Sequence, residues 1–185
     1  GEQRTLTGPD VQQAIVSLGL LGVVTSVTLA VEPAYDLWQL VYDDVPEEIA
    51  FGRLDEIFGS AYSVSLFTTW RRPTVDQLWL KGQVFDPVAD SAATRPDGAG
   101  RPVWLGPAEG PPPAELFGAG LADGPRHPIA GVPPLFTTEQ GGVPGPWYAR
   151  LPHFKLEFTP SAGEELQSEF LVPREAAADA LVALG

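Results

Sequence analysis

One stretch of the sequence, residues 87–146, holds too much proline and glycine for regular secondary structure. It contains 13 Pro and 11 Gly in 60 positions, including three consecutive prolines at 111–113. Proline cannot donate a backbone hydrogen bond, so central strands and helix interiors exclude it. Large apolar residues nonetheless occur in or beside this stretch: Trp104, Phe117, Phe136 and Trp147. We therefore expect a long irregular loop that wraps over a core, with one short helix near Ala114 to Phe117, rather than a free linker.

The sequence on both sides of this loop predicts helices and paired strands. Apolar residues at helical spacing and proline near the start favour helices over 8–18, over about 47–59 and from Pro173 onward. Alternating or β-branched runs predict six strands, over 23–31, 37–42, 63–70, 77–84, 153–158 and 166–172. Because strands come in pairs with few helices between them, we expect the α+β class, with a mostly antiparallel sheet and helices on one face.

Composition limits what this chain binds and where it resides. Its 185 residues have room for one domain or slightly more, and a net charge of −13 opposes binding to nucleic acid or to anionic lipid. Cys is absent, which excludes disulfides and thiolate chemistry, and no apolar run approaches the roughly 20 residues of a membrane span. Without a signal-like start or any Met, we expect a cytoplasmic protein and a chain cut from a longer one.

The residues alone predict neither a metal site nor a catalytic site. His127 and His153 lack a third ligand at a suitable spacing. The carboxylates Glu164, Glu165 and Glu169 lie in or near a turn, which favours a solvated acidic rim over acid–base catalysis.

Three of the eleven cations, Arg71, Arg72 and Lys81, lie close together in sequence and are flanked by Trp70 and Trp79. They could form one wall of a pocket for a polar ligand. Alternatively, they cover the end of a hairpin and offset the surrounding acidic residues. We favour the second interpretation.

Several stretches together resemble a known family. Residues 17–33, which contain Gly22-Val23-Val24-Thr25, resemble the segment that closes the FAD-binding domain in the vanillyl-alcohol-oxidase superfamily. Residues 61–68, 79–81, 139–147 and 151–174 closely resemble actinobacterial alditol (xylitol) oxidases. The resemblance covers nearly the whole chain and is weakest between about 84 and 130.

The resemblance implies a flavoenzyme that oxidises the terminal hydroxyl of a sugar alcohol to an aldehyde and reduces oxygen to hydrogen peroxide. It implies that residues 1–34 are the end of an FAD-binding domain and that 35–185 are part of a substrate-binding domain. The family motifs that attach FAD and bind the substrate have no counterpart in this chain, so no catalytic residue is assigned. Only Val23, Val24 and Thr25 are expected to contact FAD, near its adenine end and mainly through backbone atoms.

Further expectations follow from this resemblance. The partners would be a small polyol and oxygen, and the isolated chain is expected to be inactive, to lack FAD and to be prone to self-association. Two alternatives stay open. The chain could be a non-catalytic binding domain that kept the fold, or it could belong to a related aldonolactone oxidase or dehydrogenase.

Overall fold

The computed structural model of the chain describes residues 2–84, 104, 106–158 and 166–184. It divides into two compact units, Gly1–Pro33 and Ala34–Gly185. Within the described residues no helix is both long enough and apolar enough to cross a membrane.

The first unit contains one short helix, α1 (Pro9–Ile15), which begins as predicted and ends earlier. The strand predicted over 23–31 is wrong, because residues 22–35 form no ladder. Val23, Val27 and Val31 are all strongly exposed. Strand propensity reflects how well a side chain fits a half-buried pleated surface, and no described strand supplies that surface here.

The second unit is built on an antiparallel sheet. Its strands are β1 (Asp36–Pro46), β2 (Ser63–Phe67), β3 (Thr74–Gln83), β4 (Glu115–Leu116), β5 (Ala119–Leu121) and β6 (Gly145–Pro146). The order is β2-β3-β1-β5-β4, and β6 pairs with the end of β1 that β5 leaves free. The long β1–β3 pairing, from Leu37↔Gln83 to Pro46↔Thr74, forms the centre of the sheet. A mixed α/β fold with an antiparallel sheet is thus confirmed.

The described part of the second unit also contains three short α-helices, and the first of them begins directly after β1 in sequence. Pro46 ends β1 and precedes α2 (Glu47–Gly52), and α3 (Leu54–Phe58) continues after a break at Arg53, whose φ of −124° is not helical. The single helix predicted over 47–59 is therefore two short ones, since Gly52 weakens the helix at that point. Near the C-terminus a 3₁₀ turn (Arg174–Ala176) leads into α4 (Ala177–Leu184), which confirms a helix beginning after Pro173.

One face of the sheet carries the apolar core. Over 38–42 of β1 and 78–80 of β3 every second residue belongs to this core, which Val45 and Val75 join and which meets Ala50 of α2 and Ile57 of α3. The cluster consists of Trp38, Leu40, Tyr42, Val45, Ala50, Ile57, Val75, Leu78, Leu80, Trp104 and Ala119. Trp104 is one of the four predicted aromatic anchors and packs edge-on against Trp38, with ring centroids 5.0 Å apart.

The other three anchors behave differently from one another. Phe117 packs against the core, whereas Phe136 and Trp147 are 47% and 41% exposed. The helix predicted near Ala114 to Phe117 is wrong, because β4 and β5 form a hairpin there. Its two-residue turn, Phe117-Gly118, has φ values of 52° and 75°, as a type I′ turn requires. A phenylalanine at positive φ is unusual, and Gly118 is the one turn-favouring residue of the pair.

Three other predicted strands are shorter or absent. β2 ends at Phe67 rather than at residue 70, since Trp70 has a φ of 55° that a strand cannot accommodate. Residues 153–158 form only one bridge, Thr137↔Phe154. Residues 166–172 form no strand, because no described strand pairs with them. Part of the predicted Gly/Pro loop, together with Glu164 and Glu165, lies outside the described residues.

Candidate functional site

The second face of the sheet is buried as well, and it carries polar side chains beside the apolar Leu37, Val41 and Trp79. Gln39 of β1 lies directly opposite Lys81 of β3, and Ser63 of β2 lies on the other side of Lys81. Gln39 is fully buried and Lys81 is 1% exposed. Residues 126–153 cover this face, and each polar side chain must therefore find its hydrogen bonds within the protein.

Lys81 anchors the covering segment to the sheet. Its Nζ donates a hydrogen bond to the backbone carbonyl of Leu151. Burial disfavours the charged ammonium and lowers the pKa of Lys81 to about 8. A lysine that is this deeply buried loses much of its hydration, and the loss costs free energy unless hydrogen bonds within the protein replace it.

His153 packs against the same face beside Lys81. Its ring centroid lies 5.4 Å from that of Phe67 and 5.3 Å from that of Trp79. Burial, and secondly the charge of Lys81, lower the pKa of His153 to about 4, so the ring is neutral at pH 7. Its Nε2 is buried and has no hydrogen-bond partner in the described structure.

Gln39 connects the central strand to the covering segment. Its Nε2 lies 3.3 Å from the carbonyl oxygen of Thr138 and 3.4 Å from the carbonyl oxygen of Glu139. The hydroxyl of Thr138 in turn donates to the carbonyl of Pro152 at 2.7 Å. The Oε1 atom of Gln39 has no partner among the described residues. Two stretches of the covering segment are thus fixed on β1 at one point.

Ionic contacts hold the other end of the covering segment. Arg126 donates to Asp43 of β1, with 2.8 Å between Nη2 and Oδ2, and to Asp123 at 2.7 Å. The hydrogen bonds to Asp123 and Asp43 hold the pKa of Arg126 above its usual value. The side-chain amide of Gln140 both donates to and accepts from the backbone of Arg126, at 2.7 and 2.8 Å.

The outer side of the covering segment forms an open groove of about 700 Å³. Its polar lining residues are Thr137, Thr138, Glu139, Gln140, Tyr148, Arg150, Lys155 and Glu157. Arg150 is buried in the groove wall, where its Nη2 contacts Glu139 Oε2 at 2.6 Å and its Nε donates to the carbonyl of Val143 at 3.0 Å. The volume is in the range of small-molecule pockets.

The structure does not bring the three predicted cations together. Arg72 is ion-paired with Asp44 at 2.8 Å and with Asp76 at 2.5 Å at one end of β3, whereas Lys81 is buried near the other end. For Arg72 this agrees with the favoured interpretation of a cation at a hairpin end. Lys81 instead belongs to the buried second face of the sheet, which neither interpretation anticipated.

The remaining predicted residues are those singled out for contact with FAD or considered as metal ligands. Val23 and Val24 are 91% and 75% exposed in the first unit, and Thr25 is exposed too, so their contact with FAD stays a prediction. Through its carbonyl, His127 accepts a hydrogen bond from Gln77 Nε2 at 2.9 Å. No group of three potential metal ligands occurs among the residues that the structure describes.

The described contacts on this face attach the covering segment to the sheet. The sequence does not single out Gln39, Thr138 or Arg150, because nothing in their neighbourhood marks them as buried. The one available signal was alternation, which placed Trp79 and Lys81 opposite the apolar residues of β3. It could not show that a Pro-rich loop would cover that side as well.

Comparison with known proteins relates nearly the whole chain to one enzyme class. No family model matches the chain. A curated alditol oxidase from a Streptomyces species is 41% identical over 171 residues, which are 92% of this chain and 35% of the relative. The chain therefore spans about a third of that relative's length. The resemblance to alditol oxidases is confirmed in sequence along nearly the entire chain.

Proposed function

Because nearly the whole chain is related to part of an alditol oxidase, we propose that it is a portion of an FAD-dependent sugar-alcohol oxidase. The observation that carries this proposal is the 41% identity over 92% of the chain. A similarity confined to one short motif could arise from a shared fold element. This one runs through both compact units.

The proposed partners are a small polyol and oxygen. When bound, FAD would take up a hydride from the terminal hydroxymethyl group and reduce oxygen, so that the products are an aldehyde and hydrogen peroxide. We assign no residue of this chain to that chemistry. Its sheet supplies a framework on which Lys81, Gln39 and Arg126 hold the covering segment.

We further propose that residues 1–34 close an FAD-binding domain and that residues 35–185 form part of the substrate-binding domain. Residues 23–25 fit a contact through backbone atoms, since their side chains are exposed and no backbone hydrogen bond within the described structure involves them. A free backbone N–H can bind a ring nitrogen or carbonyl of a cofactor without help from a particular side chain. A cytoplasmic location stays a prediction.

The decisive experiment is to express the complete reading frame that contains this chain and to measure peroxide release. We expect a flavin spectrum, with peroxide formed from xylitol or sorbitol and little from aldonolactones. Preference for an aldonolactone would identify the related oxidase class instead. Absence of flavin and of peroxide with every substrate would contradict the proposal and favour a non-catalytic domain.

A further inference from the structure

The groove on the outer side of the covering segment has walls that are held in place by hydrogen bonds within the protein. Thr138 is held by Gln39 of the central strand and by the Pro152 carbonyl. The side chain of Arg150 is 9% exposed, and its guanidinium donates to three backbone carbonyls besides Glu139. Binding sites gain affinity when little conformational entropy is lost on binding, and a wall of this kind is preorganised.

The charges of the groove cancel, although the chain as a whole is strongly acidic. The charged lining residues are Glu139 and Glu157, balanced by Arg150 and Lys155. The entire chain carries a net charge of −13. A groove whose own charges balance suits a neutral ligand that both donates and accepts hydrogen bonds, and the net negative charge of the chain disfavours an anion.

Several polar groups of the groove face solvent and are available for binding. Tyr148 is 56% exposed, and Lys155 and Glu157 are exposed without an ion pair in the described part of the chain. A carboxylate accepts hydrogen bonds, an ammonium donates them, and the tyrosine adds a hydroxyl and an apolar ring face. Adjacent hydroxyl groups of one ligand can satisfy both kinds of partner.

We propose that this groove, bounded by residues 137–140 and 148–157, is a binding site for a neutral polyhydroxylated molecule of the sugar-alcohol class. The choice of sugar alcohols within that chemistry rests on the proposed function. The groove itself is defined by the walls, the cancelled charge and the free polar groups described above. Tyr148, Lys155 and Glu157 are the residues that contact the ligand.

The test is a titration of the full 185-residue chain, ¹⁵N-labelled, with xylitol and sorbitol, followed by amide chemical shifts. We expect saturable shifts confined to residues 137–157, with a dissociation constant roughly in the millimolar range. Tyr148→Ala, Lys155→Gln and Glu157→Gln should each weaken binding about fivefold or more. The matched surface changes Arg71→Gln and Glu48→Gln should leave it unchanged.

Charge discrimination provides a second measurement on the same chain. Xylonate, which replaces a terminal hydroxymethyl group by a carboxylate, should bind more weakly than xylitol. Equal or tighter binding of xylonate, shifts that do not saturate, or shifts spread evenly over the chain would overturn the inference. If the longer protein forms peroxide but the groove binds no polyol, only the groove proposal is refuted. If the groove binds a polyol but the longer protein forms no peroxide, only the oxidase proposal is refuted.

Discussion

His153 is a buried histidine whose neutrality has a measurable effect on stability. Its pKa of about 4 lies below its usual value because burial, and then Lys81, disfavour the imidazolium. In the unfolded chain the histidine takes up a proton near pH 6.5, so the unfolded state binds more protons than the folded state between pH 6.5 and 4. The folded state therefore loses stability as the pH falls through this window.

We expect His153→Phe to remove this part of the pH dependence while keeping an aromatic ring against Phe67 and Trp79. Between pH 7 and 4 the wild type should lose up to roughly 3 kcal/mol that the variant retains. Urea unfolding at several pH values measures the difference. Parallel stability curves for the two proteins would contradict the role assigned to this ring.

Lys81 is expected to cost stability at neutral pH rather than to add it. Its single described hydrogen bond, to the Leu151 carbonyl, is worth about 1–2 kcal/mol, and the buried charge opposes this gain. Lys81→Met should therefore raise the free energy of unfolding at pH 7 by on the order of 1 kcal/mol. The exposed lysine of the chain, Lys155, supplies the control, because Lys155→Met should change stability by less than about 0.5 kcal/mol.

The pH profile gives Lys81 a second, independent signature. The folded pKa of about 8 lies below the usual 10.5, so the unfolded state binds the extra proton between these values and stability rises with pH across them. Lys81→Met should lose this rise. It should also move the pKa of His153 upward, since a neighbouring positive charge disappears, and the histidine ring signals in NMR report this directly.

At the scale of elements, the close approach of β1 and β3 depends on one glycine. Gly82 lies opposite Trp38, and a Cβ at position 82 would come within 2.0 Å of the indole ring. That ring is fully buried, so it has no free space into which it could move. The pair explains why a glycine occurs in the middle of a predicted strand.

We expect Gly82→Ala to destabilise the fold by about 3 kcal/mol or more, since a rigid buried ring and not a flexible side chain must move. Gly120→Ala in β5 is the matched control, because no atom lies within 4 Å of a Cβ there and the glycine is exposed. Chemical denaturation compares them. Equal stability of the two variants would show that the sheet can shift to accept the methyl group.

Periodicity in the sequence predicted the centre of the sheet and failed at its periphery. Strands were predicted over 37–42 and 77–84, the second from its alternation, and both exist as the longer β1 (Asp36–Pro46) and β3 (Thr74–Gln83). The β4–β5 hairpin was not found, since Phe117 occupies a left-handed turn position without any turn residue before it. The strands expected over 153–158 and 166–172 were wrong, because alternation indicates a strand only where a partner strand exists.

The candidate site was predictable only in part, for a related reason. Lys81 was singled out as one of few cations, but its burial depends on a loop whose path no local pattern specifies. Gln39 of β1 acquires its role from a contact with Glu139, which is 100 residues away in sequence. Arg150 acquires its role from a contact with the same residue, 11 residues away within the covering segment. Such long-range contacts decide which polar side chains are buried, and composition cannot reveal them.

The described surface carries apolar residues that we expect to promote association of the isolated chain. Residues 166–172 include Leu166, Phe170 and Leu171, all at least 79% exposed, and β2 is an edge strand of the sheet. Exposed apolar segments and open edges favour pairing between copies. We expect the 185-residue chain to elute partly as dimers or larger species, and light scattering that shows only monomer at high concentration would contradict this.

Flavin binding should distinguish the 185-residue chain from the longer oxidase that we propose. If the main FAD site lies outside residues 1–185, the isolated chain should be purified colourless and should bind added FAD weakly or not at all. A free backbone at residues 23–25 offers only a few hydrogen bonds, each worth about 1 kcal/mol, which is too little to retain a cofactor through purification. Absorbance and fluorescence after dialysis against FAD measure this, with the protein from the complete reading frame as the positive control. Tight flavin retention by the 185-residue chain would move the cofactor site into these residues and would require a new assignment of its binding groups.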